Sequence, residues 1–182
     1  MKPLYAFIFA CLFFSCCKPT PKPAFTAFDF SYDAVFSESF SIKFTQGDTV
    51  FVNQRFTRSG DLKRNATYYS LLNGQDRNEV DSFVNSIDFS KFKDRYDEPY
   101  MQDGTEYQFY IEKDTMRRTI YGLGDSVPPQ LSSFANWLAS LKSKLKLTPI
   151  DTTIDFGSSK HFILPEVVLP TIKFLPPRKK KS

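Results

Sequence analysis

Two stretches of this chain alternate apolar and polar residues with a period of two, and each is followed by a turn and a second β-rich run. In the first, Phe40, Ile42 and Phe44 interleave with Ser39, Ser41, Lys43 and Thr45; Gln46-Gly47-Asp48 supplies turn chemistry, and Thr49 to Phe56 returns. In the second, Tyr107, Phe109 and Ile111 alternate with Glu106, Gln108, Tyr110 and Glu112, Lys113-Asp114 turns the chain, and Met116 to Tyr121 returns. Successive side chains on a strand point to opposite faces, so this spacing is the mark of half-buried strands. Two β-hairpins are expected, with residues 28–36 and 67–72 as further strand candidates.

Helical spacing lies between and after the hairpins. Asp76 with Glu79 three residues on reads as a capping box, and Val80, Phe83, Val84 and Ile87 then share one face. Pro128-Pro129 opens a longer helix with an apolar stripe of Leu131, Phe134, Leu138, Leu141 and Leu145. Lys142, Lys144 and Lys146 sit near its C-terminus, where positive charge suits the helix dipole, and Pro149 ends it. The order predicts an α+β fold: one antiparallel β-sheet built from hairpins, with two helices packed on one face. Residues 150–182 differ in kind, with Leu164-Pro165, Leu169-Pro170 and Leu175-Pro176-Pro177 at near-regular spacing. Apolar residues interleaved with proline make neither a helix nor a central strand. The segment reads as an extended, Pro-punctuated C-terminal arm followed by a basic tail.

All three cysteines, Cys11, Cys16 and Cys17, fall in the first 17 residues of 182. The expected domain, residues 28–149, must therefore stand on packing without a disulfide. It has the material, since the chain carries 20 Phe and 9 Tyr, and aromatic side chains bury more surface than any others. The net charge is +4, and four basic residues cluster at Arg178 to Lys181, so the body is near neutral. That balance argues against a nucleic-acid groove.

The cysteines define the other end. Lys2 precedes an almost purely apolar run from Leu4 to Phe14, too short to span ~30 Å of hydrocarbon and matched to a signal-peptide core. Ser15, Cys16 and Cys17 follow. A small residue before a cysteine, directly after an apolar run, resembles the bacterial lipobox. The resemblance implies a signal peptide over residues 1–15, cleavage before Cys16, and lipidation of that cysteine. Phe13 stands where Leu, Val or Ile is usual, which leaves Cys17 as the alternative. Residues 16–27 then form a lipidated tether in which Pro19, Pro21 and Pro23 favour extended polyproline geometry. By resemblance to Gram-negative lipoproteins, the lack of Asp after the cysteine implies sorting to the outer membrane, facing the periplasm.

Catalytic chemistry is sparse. His161, the single histidine, lies in the extended arm and reads as structural or incidental. The sequence contains no G-x-S-x-G, H-E-x-x-H, phosphate loop or calcium loop, and neither a cofactor nor a metal site is expected. Residues 96–104 are richer, and Asp97, Glu98 and Asp103 read as a polar loop or as paired acids acting on an envelope glycan. Asp48-Thr49-Val50, Asp114-Thr115-Met116, Asp125-Ser126-Val127 and Asp151-Thr152-Thr153 resemble the O-glycan acceptor pattern of some exported bacterial proteins. Taken together, the chain resembles small uncharacterised lipoproteins of Gram-negative bacteria, in which a domain of unknown function follows the lipid anchor. The resemblance implies location and architecture rather than activity; the missing catalytic inventory, the anchor and the apolar arm favour a membrane-tethered, non-enzymatic binding or assembly protein. Its 160–177 arm would meet an envelope protein or glycan, with glycan hydrolysis by the 97–103 loop as the alternative.

Overall fold

Alternation in the sequence becomes a single large sheet in the computed structural model, which describes residues 23–34, 37–57, 66–97 and 104–159. The strands are β1 (Ala27–Ala34), β2 (Glu38–Phe44), β3 (Thr49–Thr57), β4 (Ala66–Leu71), β5 (Arg95–Tyr96), β6 (Thr105–Lys113), β7 (Met116–Leu123) and β8 (Thr148–Ile150). Their spatial order is β5-β7-β6-β1-β2-β3-β4-β8. The two hairpins β2–β3 and β6–β7 thus flank a central β1. Register locks the apolar positions into rungs: Ile120, Phe109, Phe30, Ile42, Val52 and Tyr68 oppose one another in turn from β7 to β4. A second rung runs Ile111, Phe28, Phe44, Val50. A slip of one residue would turn every one of these side chains to the other face, so burial specifies the register strongly.

Helices α1 (Gly74–Ser86) and α2 (Pro129–Lys144) close over this apolar face. Phe134 of α2 stacks on Phe28 at 5.6 Å, on Phe109 at 5.6 Å and on Phe83 of α1 at 4.8 Å between centroids. Leu131, Leu138 and Leu141 of the expected stripe are buried, together with Val80 and Val84 of α1. Ala24 and Phe25, ahead of residue 28, are buried in the same core.

The fold is α+β, yet the sheet is mixed rather than wholly antiparallel. β5 pairs with β7 in parallel, Arg95 opposite Tyr121 and Tyr96 opposite Gly122. The chain reaches β5 from α1 through a 3₁₀ turn at Phe89–Lys91, so it arrives at the β7 edge from the helix layer and not from a hairpin. Three local expectations shift as well. The cap of α1 is Asn73, whose side chain accepts from the Asp76 amide at 2.9 Å and donates to the Asp76 carboxylate at 2.7 Å. Helix α2 stops at Lys144, and Pro149 lies in edge strand β8 opposite Tyr68, a place where proline is tolerated. Lys142 turns inward to Glu38 at 2.7 Å, with its ammonium 5.0 Å from the Phe40 ring centroid. Cys16, Cys17, Glu98, Asp103, His161 and residues 160–182 lie outside the described residues.

Candidate functional site

The outer face of the sheet, away from the helices, carries the alternate residues of the same strands, and several are buried although polar. Asp29, Ser31, Ser41 and Gln108 are all essentially inaccessible. Residues after β8 account for much of this, because the 3₁₀ turn Gly157–Ser159 packs against β1 and β6. Gly157 donates its amide to Asp29 Oδ2 at 2.5 Å, and Ser31 Oγ lies 2.9 Å from Ser158 Oγ and 2.6 Å from Ser41 Oγ. Lys43 spans the clasp, donating to the Asp155 carbonyl at 2.9 Å and lying 3.5 Å from Asp29 Oδ1. Burial pushes the Asp29 carboxyl above its ordinary range, with Lys43 and the Gly157 amide working against that rise.

Beside this clasp, along β7, a cleft of about 560 Å³ opens. Gln108, Thr119 and Tyr121 contribute from the outer face, Arg117 and Arg118 from the start of β7, and Asp94 and Arg95 from the segment leading into β5. Arg118 Nη2 donates to the Phe92 carbonyl and to Asp94, each at 2.6 Å. Its Nε is buried and has no hydrogen-bond partner. The Arg95 guanidinium lies 4.2 Å from the centroid of the Tyr121 ring and donates to Asp97 at 2.5 Å. Arg117 pairs with Glu112 at 2.7 Å. Gln108 is fully buried, and neither its amide nitrogen nor its amide oxygen has a hydrogen-bond partner. Buried polar groups are nearly always satisfied, which sets this amide apart among the residues that line the cleft.

Next to the cleft, outside its lining, lies an acidic pair. Asp33 and Glu106 stand directly opposite across β1 and β6, a like-charge pairing that costs stability. Burial and then the Asp33 charge raise the Glu106 carboxyl. Burial, followed by the Glu106 charge, pushes the Tyr121 hydroxyl up to about 12, so Tyr121 is a neutral hydrogen-bonding group throughout the physiological range.

Of the carboxylates singled out in the sequence, Asp97 reaches this site, paired with Arg95 at the rim and half exposed. Glu98 and Asp103 lie outside the described residues. Gln108, Arg118 and Tyr121 were missed as site residues because they read as ordinary polar positions of a half-buried strand. The usable signal was Gln108 itself, an uncharged amide at the middle of a strand whose neighbours are aromatic. Among the described residues no group of His, Cys, Asp and Glu is arranged to hold a metal, and no helix is long and apolar enough to cross a membrane. The chain matches no protein-family model, no curated protein and no solved structure. Fold and site together define an α+β domain with a polar, arginine-lined cleft on the outer face of its sheet.

Proposed function

We propose that this chain is a lipid-anchored cell-envelope protein whose domain binds a ligand in the β7 cleft without transforming it. The observation that carries the reading is Gln108, a fully buried amide with both polar atoms unpartnered at the cleft. Leaving such a group unsatisfied costs on the order of 1–3 kcal/mol, a cost that a bound ligand relieves. The cleft's arginines are held by carboxylates, as in a recognition surface, and the single histidine, His161, lies outside the described residues.

The anchor is Cys16, in the outer membrane and facing the periplasm. Geometry at the start of the domain supports the orientation. Pro23 and Phe25 line a cavity with Gln46, Lys113 and Asp114, so the tether joins the sheet at the end that carries the two hairpin turns. Arg95, Asp97 and Glu106 stand at the opposite end of their strands, away from the point of attachment. The arm at 160–177 is a second surface for an envelope protein or glycan.

The test is saturation binding of the full-length protein in detergent micelles to fractionated envelope material (peptidoglycan fragments, lipopolysaccharide, outer-membrane protein extract). One fraction is expected to raise the melting temperature of the wild type and not that of Gln108→Leu, which removes the orphaned amide. Equal stabilisation of both proteins by every fraction that acts would rule the cleft out.

A further inference from the structure

We propose that the β7 cleft is specific for an acidic saccharide, a polyhydroxylated ligand carrying a carboxylate. The inference rests on the binding reading above and names the chemistry of the ligand. Three arginines line the cleft against one aspartate. Arginine is charged at every accessible pH and matches a carboxylate in shape as well as charge. Two of the carboxylates that hold these arginines are exposed, Asp94 at 78% and Asp97 at 46%, whereas Glu112, the partner of Arg117, is 23% exposed. Exposed ion pairs contribute little, so an entering carboxylate displaces them at small cost.

The unfilled groups narrow the choice further. The Gln108 NH₂ lacks an acceptor, and Gln108 Oε1 lacks a donor. An apolar ligand satisfies none of them, and a fully ionised carboxylate satisfies only the donors. A molecule that brings acceptor oxygens and hydroxyl donors together satisfies both, and sugar hydroxyls do so. Thr119 adds a further hydroxyl, and the Tyr121 ring under the Arg95 guanidinium gives one flat wall. The volume of about 560 Å³ falls within the range of small-molecule sites.

The experiment follows the Gln108 side-chain NH₂ signal by NMR in the ¹⁵N-labelled full-length chain in micelles. Trigalacturonate, neutral maltotriose and sodium phosphate are the separate titrants. Trigalacturonate should shift that signal saturably, with maltotriose and phosphate each at least about ten-fold weaker. Arg95→Gln should weaken trigalacturonate by about ten-fold, and the exposed Arg117→Gln, which leaves the core untouched, by about three-fold. Maltotriose binding as tightly as trigalacturonate overturns the acidic specificity, and phosphate binding as tightly overturns the saccharide. If neither saccharide moves the Gln108 signal but an envelope fraction does, the ligand class is wrong and the binding cleft stands. If nothing moves it in a folded protein, both readings fall.

Discussion

Phe134 and Asp29 occupy the two sides of the same sheet and illustrate opposite terms in its stability. Phe134 touches Phe28, Phe109 and Phe83 with its ring and is fully buried, so it ties both helices to the centre of the sheet. Truncation leaves a cavity that three rings cannot fill together. Phe134→Ala should cost about 3–5 kcal/mol, measured from the urea midpoint, with Phe134→Leu costing less than half as much. Asp29 is a carboxyl raised by burial, so the folded chain holds its proton more tightly than the unfolded chain, whose value is near 3.8. Its contribution to stability is greatest below that value and is lost as pH rises through the raised folded value. Asp29→Asn keeps an acceptor for the Gly157 amide and has nothing to ionise. The urea midpoint of the variant should therefore fall less steeply than that of the wild type as pH rises above 3.8. An unchanged slope would mean that another group carries it. At this scale the apolar residues were readable from their spacing alone, whereas Asp29 and Gln108 were not. Alternation assigns both to a polar face, and the segment that folds over that face and bonds Asp29 through the Gly157 amide leaves no mark in the pattern.

Turns and caps decide how the elements are placed, and here local chemistry outweighed pattern. A reading centred on Asp76 and Glu79 finds a helix start three residues late, because Leu72-Asn73-Gly74 looks like turn chemistry while Asn73 is in fact the cap. Asn73→Ala removes the acceptor for the Asp76 amide and should destabilise the domain by about 1 kcal/mol, with Asn73→Ser retaining most of the stability. The hairpins were legible because alternation and turn residues agree; Asp114 at the β6–β7 turn takes the left-handed conformation with φ 54°. Strand β5 was not, since two residues pairing in parallel leave no periodic trace. The clasp at 157–159 was equally hidden, lying in a stretch whose prolines and glycine suggest an extended arm. Its closeness to the sheet is set by Gly157, where a Cβ would meet the Tyr110 ring at 2.8 Å. Gly157→Ala should lift the turn and break the amide bond to Asp29. Hydrogen exchange at residue 157 should then quicken by at least about ten-fold while the β1–β6 amides keep their protection. Unchanged exchange at 157 would show that the ring gives way instead.

For the whole molecule, the question is how a domain with its core on one face and a cleft on the other is presented to its surroundings. The tether reaches the sheet beside the 46–48 and 113–115 turns, and Phe25 is packed on Phe28 at 5.6 Å with the Arg77 guanidinium 5.2 Å from its ring centroid. The domain is thus gripped where the 18–23 segment ends, and the prolines at 19, 21 and 23 are residues that favour an extended span back to the cysteines. Under the proposed lipid anchor, this attachment would hold one end of the sheet toward the bilayer and set the Arg95–Glu106 end outward. Both consequences depend on which cysteine carries the lipid. If it is Cys16, Cys16→Ser should abolish metabolic incorporation of labelled palmitate and release the protein from the membrane fraction, whereas Cys17→Ser should leave both intact. The reverse result assigns the anchor to Cys17 and shortens the tether by one residue. Retention of both single variants, with label in each, would mean that either cysteine serves. Absence of label from the wild type would remove the lipid altogether, and with it the argument for a fixed orientation.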